Sequence, residues 1–207
     1  MSPSLLLVPL TPKTRLRREL RARRRALTPA EQTDHAHRLV GQDGALPAFL
    51  RAQRIAAYRS ADGEIDPSPL LALAQSRAKR IHLPVLRPHP SPRLWFVEYR
   101  PGDPMKKNVY GILEPARRGR RIRLPQAIDL LLIPLVGFDD QCNRLGMGGG
   151  FYDHTLAYLR RRRHWRRPLL VGVAHECQRV ARIEASPWDV PLDLVVTESA
   201  LYPRRST

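Results

Sequence analysis

Leu130-Leu131-Leu132-Ile133-Pro134-Leu135-Val136 is followed, after a short polar interval, by Asn143-Arg144-Leu145-Gly146-Met147-Gly148-Gly149-Gly150-Phe151-Tyr152-Asp153. The first stretch is almost continuously apolar, as expected of a strand buried on both faces. The second is glycine-rich and leads into a helix expected from about Phe151 to Arg162. Glycines let backbone amides approach an anion and take positive φ angles. A helix start adds partial positive charge, and Arg144 adds a full one. This order suits phosphate binding at the carboxyl end of a sheet strand. It is not a Walker loop, because no Gly-Lys-Ser or Gly-Lys-Thr follows. Nor is it the dinucleotide fingerprint, because Phe151 stands where the third glycine belongs. Taken alone, such a cluster also serves as a plain tight turn.

Outward from this segment the chain alternates strands and helices. Ile55-Ala56-Ala57-Tyr58, Ile81-His82-Leu83, Leu94-Trp95-Phe96-Val97, Leu169 through Ala174 and Leu192 through Thr197 read as strands. Pro67-Ser68-Pro69 opens a helix carrying Leu70, Leu71 and Leu73. The alternation predicts an α/β sheet with much parallel character. Two helices precede it. Thr11-Pro12 places a capping hydroxyl before a first-turn proline. Leu16, Leu20 and Leu27 form a thin apolar stripe that Arg23 and Arg24 interrupt. Thr28-Pro29-Ala30-Glu31 is a capping box for a helix running to about Val40. After Gly44 the pattern changes, so residues 1–44 are expected to be a helical segment packed on the core of a single domain, 1–207. Pro84 to Pro92 and the basic Arg117 to Arg123 read as exposed loops.

Composition narrows the classes. At 207 residues and 43% hydrophobic content, the chain supports one sizeable core. No apolar run is long enough to cross a bilayer, and Leu5-Leu6-Leu7-Val8 lacks the flanks of a signal peptide. Cys142 and Cys177 make neither a disulfide framework nor a metal pair, so a reducing cytoplasm is expected. Lys and Arg number 36 against 19 acidic residues, a net charge of +17. That field suits a polyanionic partner. A nucleic-acid module would interleave aromatics with its bases, and Arg15 to Arg25 contains none. A phosphorylated or polycarboxylate small molecule uses the same field.

Arg144-Leu145-Gly146-Met147-Gly148-Gly149-Gly150-Phe151-Tyr152-Asp153 resembles the signature of the 5-formyltetrahydrofolate cyclo-ligase family. Further patches agree in order: Lys13-Thr14-Arg15-Leu16-Arg17, Glu64-Ile65, Asn108 through Pro115, Pro134 through Asp139, and Asp189 and Asp193 with Thr197-Glu198. The resemblance spans roughly residues 13 to 198. It implies an α/β fold, a three-layer Rossmann-like sheet core with an N-terminal helical segment. It also implies ATP-dependent closure of 5-formyltetrahydrofolate to 5,10-methenyltetrahydrofolate with magnesium, releasing ADP and phosphate. The formyl oxygen takes the γ-phosphoryl group, N-10 attacks the activated carbon, and phosphate leaves. Such chemistry needs alignment and charge neutralisation more than covalent help. The other readings of the same residues are a basic nucleic-acid-binding protein or another phosphate-handling α/β enzyme.

On this pattern Lys13, Thr14, Arg15, Leu16 and Arg17, with Arg144 through Tyr152, would hold ATP. Arg144 and Tyr152 are the catalytic candidates. Arg59, Glu64, and Met147 through Phe151 (Met147, Gly148, Gly149, Gly150, Phe151) would meet the folate; Asp153 and Asp193 would hold magnesium. Each has a plainer reading. Lys13 and Arg17 read as solvated bases, Tyr152 as a core aromatic, Asp153 as a helix-start carboxylate and Asp193 as a charge at a strand start. Gly149 replaces a lysine found in some members, and His154 a frequent arginine, which leaves Arg144 more of the phosphate charge. The expected partners are ATP and a folate, with or without a polyglutamate tail. A monomer is expected, with no membrane or nucleic-acid partner.

Overall fold

A computed structural model describes residues 11–43, 47–88, 90–116, 119–161 and 167–205. The readings of Leu5 through Val8, of Gly44, of Arg117 and of the helix end at Arg162 lie outside these residues.

The leading pair is helical. α1 (Pro12–Arg25) starts at Thr11, whose hydroxyl accepts from Thr14 N at 3.3 Å. α2 (Pro29–Asp43) carries the complete capping box: Glu31 accepts from Thr28 N at 2.7 Å, and Glu31 N donates to the Thr28 hydroxyl at 3.3 Å. α3 (Pro47–Arg51) is a single turn, and α4 (Ser68–Ser76) is the helix expected after Pro67.

The sheet is built from β1 (Arg54–Ala56), β2 (Arg80–Leu86), β3 (Leu94–Tyr99), β6 (Ile122–Arg123), β7 (Leu130–Pro134), β10 (Leu169–Val173), β11 (Leu194–Val196) and β12 (Leu201–Pro203). Its order is β12-β11-β10-β7-β1-β2-β3-β6, parallel from β11 through β2 and antiparallel at both edges. Two small hairpins stand apart: β4 (Met105–Lys107) with β5 (Leu113–Pro115), and β8 (Gly137–Phe138) with β9 (Arg144–Leu145).

β7 shows why its sequence is apolar throughout. Leu130 and Leu132 pack on the face covered by α2, α3 and α4, through Leu39, Phe49, Leu70 and Leu71. Leu131 and Ile133 pack on the opposite face with Leu156 and Leu159, from α5 (Phe151–Leu156) and the 3-10 turn Ala157–Arg161. A strand covered on both sides has no face for polar residues. The result is the expected three-layer α/β fold.

Two expected loops are partly strand. Pro84 through Leu86 continue β2, with Pro84 opposite Phe96 of β3. β1 pairs with β2 only through His82, so Pro84 lies where β2 has one sheet neighbour. Proline is tolerated there because one side needs no ladder donor. The basic stretch ends in β6, an edge strand on β3. The helix after the glycines is shorter than expected, with an α-helical turn and a half before it tightens to 3-10 geometry.

Candidate active site

Between the carboxyl end of β7 and α5 the chain first makes the β8–β9 hairpin. Asp139 organises it. Its buried carboxylate accepts from Gln141 N, Asn143 N, Asn143 Nδ2 and Ile183 N at 2.8–3.0 Å. The glycine loop 146–150 therefore leaves a pinned turn. Gly148 has φ +107° and Gly150 φ +63°, backbone angles that a side chain would strain. α5 has six residues, so its dipole is small. The positive charge at the loop must come from side chains.

α1 supplies it. Leu20 packs onto the β8–β9 hairpin so closely that a Cβ on Gly137 would stand 2.4 Å from Leu20 Cδ1. One turn earlier, Arg17 Nε donates to Gly146 O at 2.7 Å, and its guanidinium carbon lies 3.9 Å from where a Gly148 Cβ would be. Lys13 Nζ donates to Ser186 Oγ at 2.9 Å. The structure thus brings Lys13 and Arg17 to the loop and its flank. Thr14 is occupied with Thr11, Arg15 faces outward, and Leu16 packs beside Leu20.

Arg144 is not an open phosphate ligand. Its side chain is 5% exposed, one guanidinium nitrogen donates to Val190 O, and the other reaches Asp153 Oδ1 at 2.5 Å. Asp153 Oδ1 also accepts from Val190 N at 3.0 Å. Both of these bonds fall on Oδ1, and the Asp153 side chain stays 23% exposed. Asp193 is placed elsewhere. It begins β11, at the amino end of the parallel strands, and its Oδ2 accepts from Leu170 N at 2.7 Å. Asp189, in the same C-terminal motif, precedes Val190, whose backbone meets both Arg144 and Asp153. It accepts from Ser186 N at 2.8 Å, next to Val190 and one hydroxyl away from Lys13. The signal for it was its place in the quoted C-terminal motif, where spacing alone does not choose between two aspartates.

The interior wall begins at Glu64, after β1. Burial pushes its carboxyl pKa up to about 7; the charge of Arg24 opposes this. Near neutrality it can therefore donate or accept a hydrogen bond. Tyr152, the second residue of α5, is partly buried; desolvation and the nearby Glu64 carboxylate push its hydroxyl pKa upward. Arg24 is wholly buried. It donates to Asp62 O at 2.9 Å, to Asp62 Oδ2 at 2.8 Å and to Leu135 O at 3.2 Å, with Glu64 Oε1 at 3.9 Å. Sequence reading took Arg24 for a gap in an apolar stripe. Arg59, at the end of β1, is exposed.

The outer wall is the β4–β5 hairpin. Tyr110, at its tip, meets Phe151 edge-on with ring centroids 5.9 Å apart, and is 62% exposed. Val109 and Met147 are exposed beside these residues in sequence. This apolar rim was not anticipated, because an aromatic in a turn carries no periodic signal. A cleft of about 650 Å³ opens at the amino ends of the strands, around Arg51, Arg54, Arg80 and Arg167. It lies at the opposite end from the glycine loop, and Arg167 is paired there with Asp129 at 2.6 Å. The glycine loop, unlike this cleft, stands at the carboxyl end of the parallel strands, where open α/β sheets bind their ligands.

A glycine loop at the carboxyl end of a three-layer α/β sheet, flanked by Lys13 and Arg17, is the layout of α/β proteins that bind phosphorylated ligands. The comparisons sharpen the class. The 5-formyltetrahydrofolate cyclo-ligase family model matches residues 10–198, and the chain belongs to that family. The 5-formyltetrahydrofolate cyclo-ligase of Escherichia coli (strain K12) is 38% identical over 185 residues, 88% of this chain and 98% of the relative. That of Haemophilus influenzae is 38% identical over 194 residues, 89% and 97%. The Aquifex aeolicus 5,10-methenyltetrahydrofolate synthetase structure superposes with TM-score 0.79 at 27% identity, covering 95% of both chains. The Mycoplasma pneumoniae 5,10-methenyltetrahydrofolate synthetase shares the fold, with TM-score 0.70 at 24% identity, over 91% of this chain and 99% of that one.

Proposed function

We propose that this protein closes 5-formyltetrahydrofolate to 5,10-methenyltetrahydrofolate at the expense of ATP. The observation that carries the reading is the docking of Arg17 on the glycine loop. Lys13 and Arg17 contact the triphosphate from one side, and the amides of residues 146–150 from the other. The folate lies between Glu64 and the rim of Met147, Phe151 and Tyr110. Glu64 hydrogen-bonds polar edges of the pterin or formyl region. Tyr152 stands by the transferred group, and Arg59 meets the substrate at the entrance.

Magnesium fits the donors at hand. A hard cation takes one or two carboxylates and completes its shell with phosphate oxygens and water. Asp153 and Asp189 would be those carboxylates, and Asp193 keeps its ladder bond to Leu170. The ion supplies charge neutralisation between the phosphates. Arg144 acts through Asp153 by fixing its orientation. With two unpaired cysteines, the protein suits a reducing cytoplasm, and we place it there as a monomer. Among the described residues no helix is long and apolar enough to cross a membrane.

The test is product absorbance in the near ultraviolet from 5-formyltetrahydrofolate and Mg-ATP. ATP-dependent product is expected. Arg17→Ala should lower kcat/KM for ATP by about 100-fold, the scale of losing one charged donor to a transferring group. ATP binding without product would assign the loop to another phosphate chemistry.

A further inference from the structure

Away from the residues given to nucleotide and folate, three side chains from three elements meet at the carboxyl end of the sheet. His35 lies in the middle of α2, His175 follows β10 and Glu198 follows β11. The Nδ1 atoms of His35 and His175 are 2.9 Å apart, and His35 Nδ1 is 3.7 Å from Glu198 Oε1. One donor atom from each lies within 4.8 Å of the others. His175 is fully buried, the Glu198 side chain is 6% exposed, and that of His35 is 15% exposed.

A hydrogen bond between the two rings explains their approach but not the charge beside them. Glu198 accepts from Glu176 N at 3.1 and 3.3 Å. Among the described residues, no Lys or Arg nitrogen comes within 4 Å of its carboxylate. A buried carboxylate with no cation is costly. His175 is fully buried, and its Nδ1 faces the Nδ1 of His35. A neutral ring offering a nitrogen toward a second imidazole and a carboxylate is a ligand arrangement.

The donor set names the class of ion. Two imidazole nitrogens and one carboxylate suit first-row transition ions, zinc among them, whereas magnesium selects oxygen. Ligands about 2.1 Å from a tetrahedral zinc stand about 3.4 Å from each other. The 2.9 and 3.7 Å separations bracket that distance. Three protein ligands would leave one tetrahedral position for water.

We propose that His35, His175 and Glu198 form a binding site for a divalent first-row transition ion, zinc by its donor set, that ties α2 to the ends of β10 and β11. The ion supplies the missing positive charge at Glu198. It requires neither ATP nor folate, so its failure leaves the proposed activity untouched.

The experiment is titration of chelator-stripped protein with Co²⁺, then Zn²⁺, without nucleotide. The expected result is one ion per chain, with visible Co²⁺ bands that Zn²⁺ abolishes and excess Mg²⁺ does not. Zn²⁺ should raise the Tm of the wild type. His35→Ala should weaken binding by about 100-fold or more, and so should Glu198→Gln, which keeps the side-chain shape should the alanine variant misfold. Cys177→Ser is the control for a thiolate site nearby, since its thiol feels the Glu198 charge. It should bind as the wild type does. No stoichiometric Co²⁺ or Zn²⁺ in the wild type overturns the proposal. So does equal affinity in the His35 and Glu198 variants, or loss of binding in Cys177→Ser.

Discussion

Arg24 holds the interior wall through Asp62, Leu135 and the approach to Glu64. Replacing it with Met leaves Glu64 without its nearest cation and Asp62 without its buried partner, while Leu135 O keeps Gln178 Nε2 as a donor. The expected loss is about 3 kcal/mol by urea unfolding, since removing one side of a buried ion pair strands the other. A loss under about 1 kcal/mol would mean that Arg21 and Arg25 suffice at Asp62. The two acids beside Arg24 respond to pH in opposite senses. Burial would raise the Asp62 pKa, but hydrogen bonds from Arg21, Arg25 and Arg24 together hold it far below the ordinary 3.8. Its contribution is complete at neutral pH and is lost as pH falls through that ordinary value. Glu64 moves the other way, from 4.5 to about 7. Its folded form prefers the proton, so its contribution is full below about pH 4.5 and lost as pH rises toward 7. The loss is on the order of 3 kcal/mol. Glu64→Gln keeps the neutral shape, so it should remove this slope when unfolding is measured at pH 5 and pH 8. Parallel profiles for variant and wild type would refute the assignment.

At the scale of elements, the position of α1 decides whether the site exists. α1 is mostly basic and is anchored by Leu16 and Leu20 against Val136, Leu145 and Ile183. Gly137→Ala puts a methyl group 2.4 Å from Leu20 Cδ1. Overpacking of this kind costs about 1–3 kcal/mol and must move the helix or the hairpin. Because Arg17 and Lys13 ride on that helix, KM for ATP should rise several-fold. Leu20→Ala in the same chain should restore part of it by making room. An unchanged KM in Gly137→Ala would show that α1 does not position the nucleotide. The caps of α1 and α2 were legible because capping is local chemistry written in four consecutive residues. The β8–β9 excursion was not, because it follows from Asp139 gathering amides from residues up to 44 positions away.

For the whole molecule, the charge of +17 is the dominant field. A polyglutamylated folate adds carboxylates to the substrate, and a basic surface would attract them. KM should then be lower for polyglutamylated than for monoglutamyl substrate, and the advantage should shrink as salt is raised. Equal KM values with no salt effect would refute this. The sequence by itself determined the three-layer α/β fold, since an apolar run with no polar face demands cover on both sides. It determined the family too, through motifs whose order no single patch could specify. The resemblance, not local patterning, assigned Lys13 and Arg17 to the same ligand as the glycine loop. Only the tertiary structure decided which charges are paired inside the protein and which stay beside the glycine loop. Arg144 turned inward to Asp153 and Val190, Asp189 sat next to Val190 while Asp193 served the ladder, and Arg24 became an internal cation. An arginine or aspartate has the same letter whether it is solvated, paired or bound to a phosphate. What separates these states is the set of groups folded around it, and those come from distant parts of the chain.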